Sequence, residues 1–274
     1  MSINLQYVGL WTICFLCFLY VFKSSCETFS GGTVKDVTVV IVNYARPDNV
    51  QEIIQSITKN PCIDEIIVIH ANKKTYRDFE GVINMVDFED KYGAANRFFA
   101  ALKSSNQKIL FLDDDHIPSD SLILDLQKLS NKDSDQIYGV YKRQCSKTGY
   151  NMAPTEDNFN IILTPILMTS KNVVTLYMKN FDNYSDVLEK NHGNGEDITF
   201  NHFLIKRFNK KPHFIQNAKF RVLEDHTTNS YSGKPNHKKQ RDAICKKYDF
   251  AERFRPEIKS YAQAGQDLKV LNFF

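Results

Sequence analysis

The chain has 274 residues, of which 42% are apolar and 24% charged, an ordinary balance that leaves length for one α/β domain or two small lobes. With 35 basic against 32 acidic side chains the net charge is only +3. That is too balanced for general nucleic-acid binding, which needs a dense basic surface, and nothing in the composition suggests repeats or disorder.

The first element is an apolar stretch, Tyr7 to Phe22 (YVGLWTICFLCFLYVF), without a charged residue and followed by Lys23. Extended back to Ile3 it approaches the roughly 20 residues that cross a bilayer as a helix. A cleaved signal peptide has a shorter apolar core, about 7–15 residues, behind a basic start. No Lys or Arg precedes this run, and Trp11 and Tyr20 suit the membrane interfaces. The reading is an uncleaved transmembrane anchor over residues 1–23, its orientation open, then a polar stem over 24–36 and a folded domain over 37–274. Cys14 and Cys17 lie inside the apolar stretch, and Cys26, Cys62, Cys145 and Cys245 are scattered without CxxC spacing, so a zinc site is not expected; one disulfide is compatible with them but cannot be assigned. Asn183-Tyr184-Ser185 is a glycosylation sequon, meaningful if the domain is lumenal.

The folded region opens with VTVVIVN (37–43), a β-branched run expected of a strand buried on both faces. Pro47 and Asp48 start a helix whose apolar face carries Ile53, Ile54 and Ile57. Strands follow at 65–70 and near 83–88, a helix at 94–102, and a strand at 108–112. This alternation predicts an α/β fold with a doubly wound, mostly parallel sheet, which binds ligands beyond the carboxyl ends of its strands. Residues 160–169 read as one long strand, 197–208 as an amphipathic helix, and 228–241 as a polar, basic loop before a C-terminal helix.

Asp113, Asp114, Asp115 and His116 stand where the strand at 108–112 ends. Three adjacent carboxylates repel one another unless a cation neutralises them. An isolated triplet would suit a solvated turn; at the tip of a buried strand it points to a metal. Alternation puts Asp113 and Asp115 on one side and Asp114 on the other, so the first pair would share manganese or magnesium. Glu196 and Asp197 follow a glycine-rich turn at a helix start, where acidic pairs either cap the helix or face a substrate. Asn43, Arg46, Asn72, Asn96 and Arg97 lie at or just after strand ends and suit a uracil, a ribose and phosphates.

The segments VTVVIVNYARPDNV, EIIVIHAN, GAANRF, ILFLDDDH, GNGEDITFNHFLI, LEDHTTNSYSG and QRDAIC occur in the order seen in exostosin-like glycosyltransferases, which this chain resembles over residues 37–250. The resemblance implies a GT-A fold (Rossmann-like) and transfer of N-acetylhexosamine from a UDP-sugar to a glycan acceptor, with manganese and retention of configuration. It implies a single-pass protein of the Golgi or ER with a lumenal catalytic domain. Arg46, Asn72 and Asn96 would bind uridine; Asp113, Asp114 and Asp115 the ribose, diphosphate and manganese, with Asp115 the main metal ligand. Glu196 and Asp197 would contact the donor sugar, Asp197 as catalytic carboxylate. Arg241, from the C-terminal loop, would close over the diphosphate. The late histidine that often completes such metal sites would be His226. Where the family has a cysteine this chain has Gly195, which leaves Cys245 without its expected partner, and Ala101 replaces an arginine. The rival readings are an inverting enzyme with Asp197 as general base, a non-catalytic sugar-nucleotide-binding domain, and a nucleotidyltransferase, the last disfavoured because no glycine-rich phosphate loop follows the first strand.

Overall fold

A computed structural model describes residues 34–224, 236–248 and 250. The apolar stretch at 7–22, most of the stem and His226 lie outside the described residues. Among the described residues no helix is long and apolar enough to cross a membrane.

β1 (Val37–Asn43) is buried along its whole length. It pairs in parallel with β2 (Ile63–His70) on one side and β4 (Lys108–Asp113) on the other. β3 (Ile83–Val86) adds to β2, again in parallel. Beyond β4 the direction reverses: β10 (Ile166–Ser170) is antiparallel to both β4 and β6 (Tyr138–Gly139), and β11 (His213–Phe214) closes that edge parallel to β6. The sheet order is β11-β6-β10-β4-β1-β2-β3, and β5 (His116–Pro118) lies outside it, paired antiparallel with β12 (Phe220–Val222). The main sheet is mixed, parallel over the half that was expected to bind ligand.

Period-2 alternation distributes β1 between two cores. Val37, Val39 and Ile41 join the cluster of α1 (Pro47–Ile57) and α3 (Asp120–Lys132), through Ile53 and Leu126. Val40 and Val42 join that of α2 (Asn96–Ala101), α4 (Lys171–Lys179) and α6 (Glu196–Phe208), through Phe98, Tyr177 and Phe200. Ala101, the arginine position of the resemblance, is fully buried in this second core.

Three expectations are corrected. Residues 160–169 form two strands rather than one, because Pro165 has no N–H to continue a ladder. β9 (Ile161–Ile162) pairs with β7 (Lys142–Ser146), which also pairs with β8 (Gly149–Asn151). After the break β10 returns to the main sheet, and the Pro165 carbonyl accepts the Asp113 N–H at 3.1 Å. Second, Arg241 stands within a helix, α7 (His237–Lys247), rather than in a loop. Third, Cys245 has a partner: a disulfide joins it to Cys145, Cα atoms 5.1 Å apart, and so fastens β7 to α7. At Gly195 (φ 105°) a Cβ would meet the Ile244 side chain at 2.4 Å, so that position packs against α7 with no side chain of its own.

Candidate active site

The carboxyl ends of β1 and β4, the turn before α6 and the start of α7 converge on a cavity of about 330 Å³. The turn is placed by a close backbone approach. A Cβ at Gly193 (φ 78°) would lie 2.2 Å from the Tyr92 carbonyl oxygen, so only glycine lets residues 192–195 press against residues 92–94. Asp113 reaches the cavity from the end of β4 and Asp115 from the turn that follows; Glu196, Asp197 and Arg241 reach it from the helices. A smaller cavity of about 130 Å³ adjoins it, lined by Tyr44, Ala71 and Asp114 among others. The two share Arg46, Ala94, Arg97 and Asp113. Strand alternation does not govern the triplet, because β4 stops at Asp113 and Asp114 and Asp115 form the turn after it: Asp115 lines the larger cavity, Asp114 the smaller one, and Asp113 both.

The acidic triplet is held by two arginines. Arg97, buried at the start of α2, donates to Asp113 Oδ1 at 2.7 Å and to the Thr164 carbonyl at 3.2 Å. Arg46 donates to Asp115 Oδ2 at 2.5 Å and lies 3.4 Å from Asp114 Oδ1. Burial pushes the Asp114 carboxyl up to about 7; Arg46 opposes this, and Asp113 and Asp115 add to it. For Asp115 burial acts upward too, but the contacts with His116 and Arg46 prevail and bring it down to about 2. His116 is itself held by Tyr141, with Nε2 2.9 Å from the hydroxyl.

Opposite, Glu196 and Asp197 are both buried. Glu196 accepts from the Thr164 hydroxyl at 2.8 Å. Burial, reinforced by Asp197, raises its carboxyl to about 7 despite Arg97 and Arg241. Asp197 accepts from Arg241 through Oδ2 and from the Ile198 N–H through Oδ1 at 2.8 Å. Arg241 also donates to Asn194 at 3.2 Å and lies over the Tyr150 ring, 4.5 Å from its centroid. Burial disfavours the Arg241 charge, but Asp197, Tyr150 and Glu196 outweigh that and hold its guanidinium above the usual range.

These carboxyls set a pH dependence. Asp114 and Glu196 have ordinary values of 3.8 and 4.5 and folded values of about 7. A raised folded value gives stability that is present below the unfolded value and lost as pH rises through the folded one. The ligand-free protein is therefore expected to melt at lower temperature at about pH 8 than at about pH 6, and Glu196→Gln to flatten that difference. A melting temperature that is constant or rises over this interval would contradict the assignment.

The nucleotide residues expected from sequence are only partly brought together. Arg46 and Arg97 line both cavities. Asn43 lines neither: fully buried, its Nδ2 lies 3.1 Å from His70 Nδ1 and donates to the Thr75 carbonyl at 3.4 Å. Asn72 caps the 3-10 turn Lys73–Thr75 by accepting from the Lys74 N–H. Asn96 is buried and lines neither cavity, and its Nδ2 has no hydrogen-bond partner among the described residues. Sequence reasoning missed Arg143, Tyr150, Thr164 and His237, which line the larger cavity. The Thr164-Pro165 break inside an apolar run was a legible sign of a site; Arg143 and Tyr150 lie in a stretch with no periodic pattern.

No group of three or more His, Cys, Asp or Glu side chains among the described residues forms a preassembled cation cage. Asp113 and Asp115 nevertheless offer carboxylate oxygens to one space, and a hard divalent ion is commonly held by one or two carboxylates plus substrate phosphates. The donor set therefore fits an ion that arrives with a diphosphate. The sequence model of the glycosyl transferase family 64 domain matches residues 37–268. No individual curated protein matches the chain.

Proposed function

The chain belongs to glycosyl transferase family 64 and is a glycosyltransferase, and on that premise we propose that it transfers N-acetylhexosamine from a UDP-sugar to a glycan acceptor. In this reading it is an exostosin-like enzyme, manganese-dependent and retaining. It is anchored in Golgi or ER membranes by residues 1–23, with its catalytic domain in the lumen. The observation that carries the donor class and the metal is the charge census of the larger cavity: four carboxylates (Asp113, Asp115, Glu196, Asp197) face four guanidinium groups (Arg46, Arg97, Arg143, Arg241). With Glu196 partly protonated near neutral pH the site carries only a small positive excess, so an entering diphosphate brings negative charge that needs its own cation.

Asp113 and Asp115 would hold that ion, which when bound supplies charge neutralisation for the leaving diphosphate. Arg46 and Arg97 position the two carboxylates and present guanidinium edges to phosphate oxygens. The smaller cavity takes the uridine, with Arg46 and Arg97 on the wall it shares with the larger one. Thr164 orients Glu196, which near neutral pH is partly protonated and can donate to a sugar hydroxyl.

Asp197 stands as a fixed negative charge toward the anomeric carbon. Both its oxygens are already engaged, by Arg241 and by the Ile198 N–H. That arrangement suits electrostatic stabilisation of developing positive charge better than proton abstraction, and so favours retention over the inverting alternative. A panel of UDP-sugars screened for donor hydrolysis with and without manganese tests this reading, with NMR of the transfer product's anomer. Manganese-dependent turnover of a UDP-N-acetylhexosamine and an α-linked product are expected. Metal-independent hydrolysis, or inversion at the anomeric carbon, would overturn the corresponding part.

A further inference from the structure

We propose that Asn183 carries an N-linked glycan, the modification site of a domain that matures in an oxidising, lumenal compartment. Asn183-Tyr184-Ser185 is the single Asn-x-Ser/Thr sequence of the chain in which x is not proline. Its use depends on two conditions that the sequence leaves open, the compartment and the surface position of the asparagine.

The Cys145–Cys245 disulfide speaks to the first condition. It joins residues 100 positions apart, and the cysteines belong to elements that pack directly, β7 and α7. A structural bond of this kind persists in the secretory pathway and is rare where thiols are kept reduced. Cys145 and Cys245 are both buried in the core cluster beneath α7, so the bond belongs to the packed fold rather than to an exposed, redox-exchanging pair.

The second condition is met by α5 (Asp182–Lys190). Tyr184, the middle residue of the sequon, is buried and stacks on Tyr177, with centroids 5.4 Å apart. One position earlier on the helix, Asn183 is exposed, and its side chain makes no hydrogen bond with any described residue. Only its backbone is engaged, the carbonyl accepting from the Tyr248 hydroxyl at 3.1 Å. A glycan on Nδ2 therefore displaces no contact of the fold. No residue of α5 lines the larger cavity, so the glycan leaves the active site open. In the attachment step Nδ2 displaces the diphosphate of a lipid-diphosphate-linked oligosaccharide. The new C1–Nδ2 bond replaces the C1–O bond to phosphate, whose electron pair leaves with the lipid diphosphate, and one amide proton is lost.

The inference rests on the lumenal placement proposed above but not on the catalytic assignment. The full chain, expressed in eukaryotic cells, is to be treated with peptide N-glycosidase and in parallel probed, after denaturation, with a maleimide before and after reduction. The expected results are a mobility shift by one glycan with conversion of Asn183 to aspartate, and thiols at 145 and 245 that react only after reduction. Asn183→Gln and Ser185→Ala should each abolish the shift. Ser185→Thr should retain it, and transferase activity should be the same in all four proteins. No shift with the disulfide formed would overturn the proposal at the sequon itself; no shift with both thiols free would overturn it through the compartment. A shift that survives Asn183→Gln would overturn it as well.

Discussion

Asp197→Asn is expected to lower turnover by about two orders of magnitude or more, the scale of a lost acid/base or charge-stabilising group, with UDP affinity nearly unchanged. The carboxylate is 2% exposed, fixed at the first turn of α6, and paired with Arg241. The amide keeps the shape but loses the charge, which matters most when positive charge builds at the anomeric carbon, so the transition state suffers more than the ground state. The substitution also leaves Arg241 buried without its main counter-charge, a change that destabilises folded proteins by about 3–5 kcal/mol when nothing compensates. Glu196 and Tyr150 remain as partners, so a lower melting temperature with retained folding is expected. Turnover must then be compared well below that temperature. Loss of UDP binding with normal reaction of bound donor would make Asp197 a holding residue and move the chemistry to Glu196.

The second large effect is expected at the other wall. Asp115→Asn should weaken UDP binding in manganese by at least about tenfold while leaving the weak metal-free affinity unchanged. The aspartate faces the larger cavity, and His116 and Arg46 bring its carboxyl down to about 2, so it is an anion available to a cation throughout the neutral range. An asparagine oxygen is a much poorer ligand for a hard divalent ion. The contrast between the two metal conditions separates this from simple disruption, because loss of the Arg46 and His116 contacts would act in both. Equal UDP affinity of variant and parent in manganese, by calorimetry, would contradict the assignment.

Much of the fold is legible where one physical signal dominates. β1 and β4 declare themselves because β-branched and aromatic runs ending in polar residues have few alternatives to a buried strand, and the Asp113–Asp115 triplet follows from where β4 stops. The sides that Asp114 and Asp115 take do not follow from strand alternation, since the chain turns directly after Asp113. Asn43 shows the limit of such reasoning: it ends β1 as expected, but only packing decides that its side chain turns toward His70 while Val42 and Tyr44 face the smaller cavity. Arg241 falls at the end of the polar run 228–241 because HKKQR carries no apolar residue to mark a helix start, whereas the C-terminal helix already begins at His237. What holds that helix is tertiary: Ile244 and Cys245 are buried, and a disulfide runs to a strand 100 residues away. Pairing across such a distance is a property of the folded chain and has no local signature. Arg143 and Tyr150 have no local signature for the same reason, since β7 and β8 are short strands whose register is set by their neighbours.

The most direct test of the account is a crystal of the protein grown with UDP and manganese, with the ion located by its anomalous scattering. One manganese peak is expected within about 2 Å of carboxylate oxygens of Asp115 or Asp113, together with the diphosphate, and uracil in the smaller cavity. A peak elsewhere, or UDP bound outside the space between β4 and α6, would contradict it.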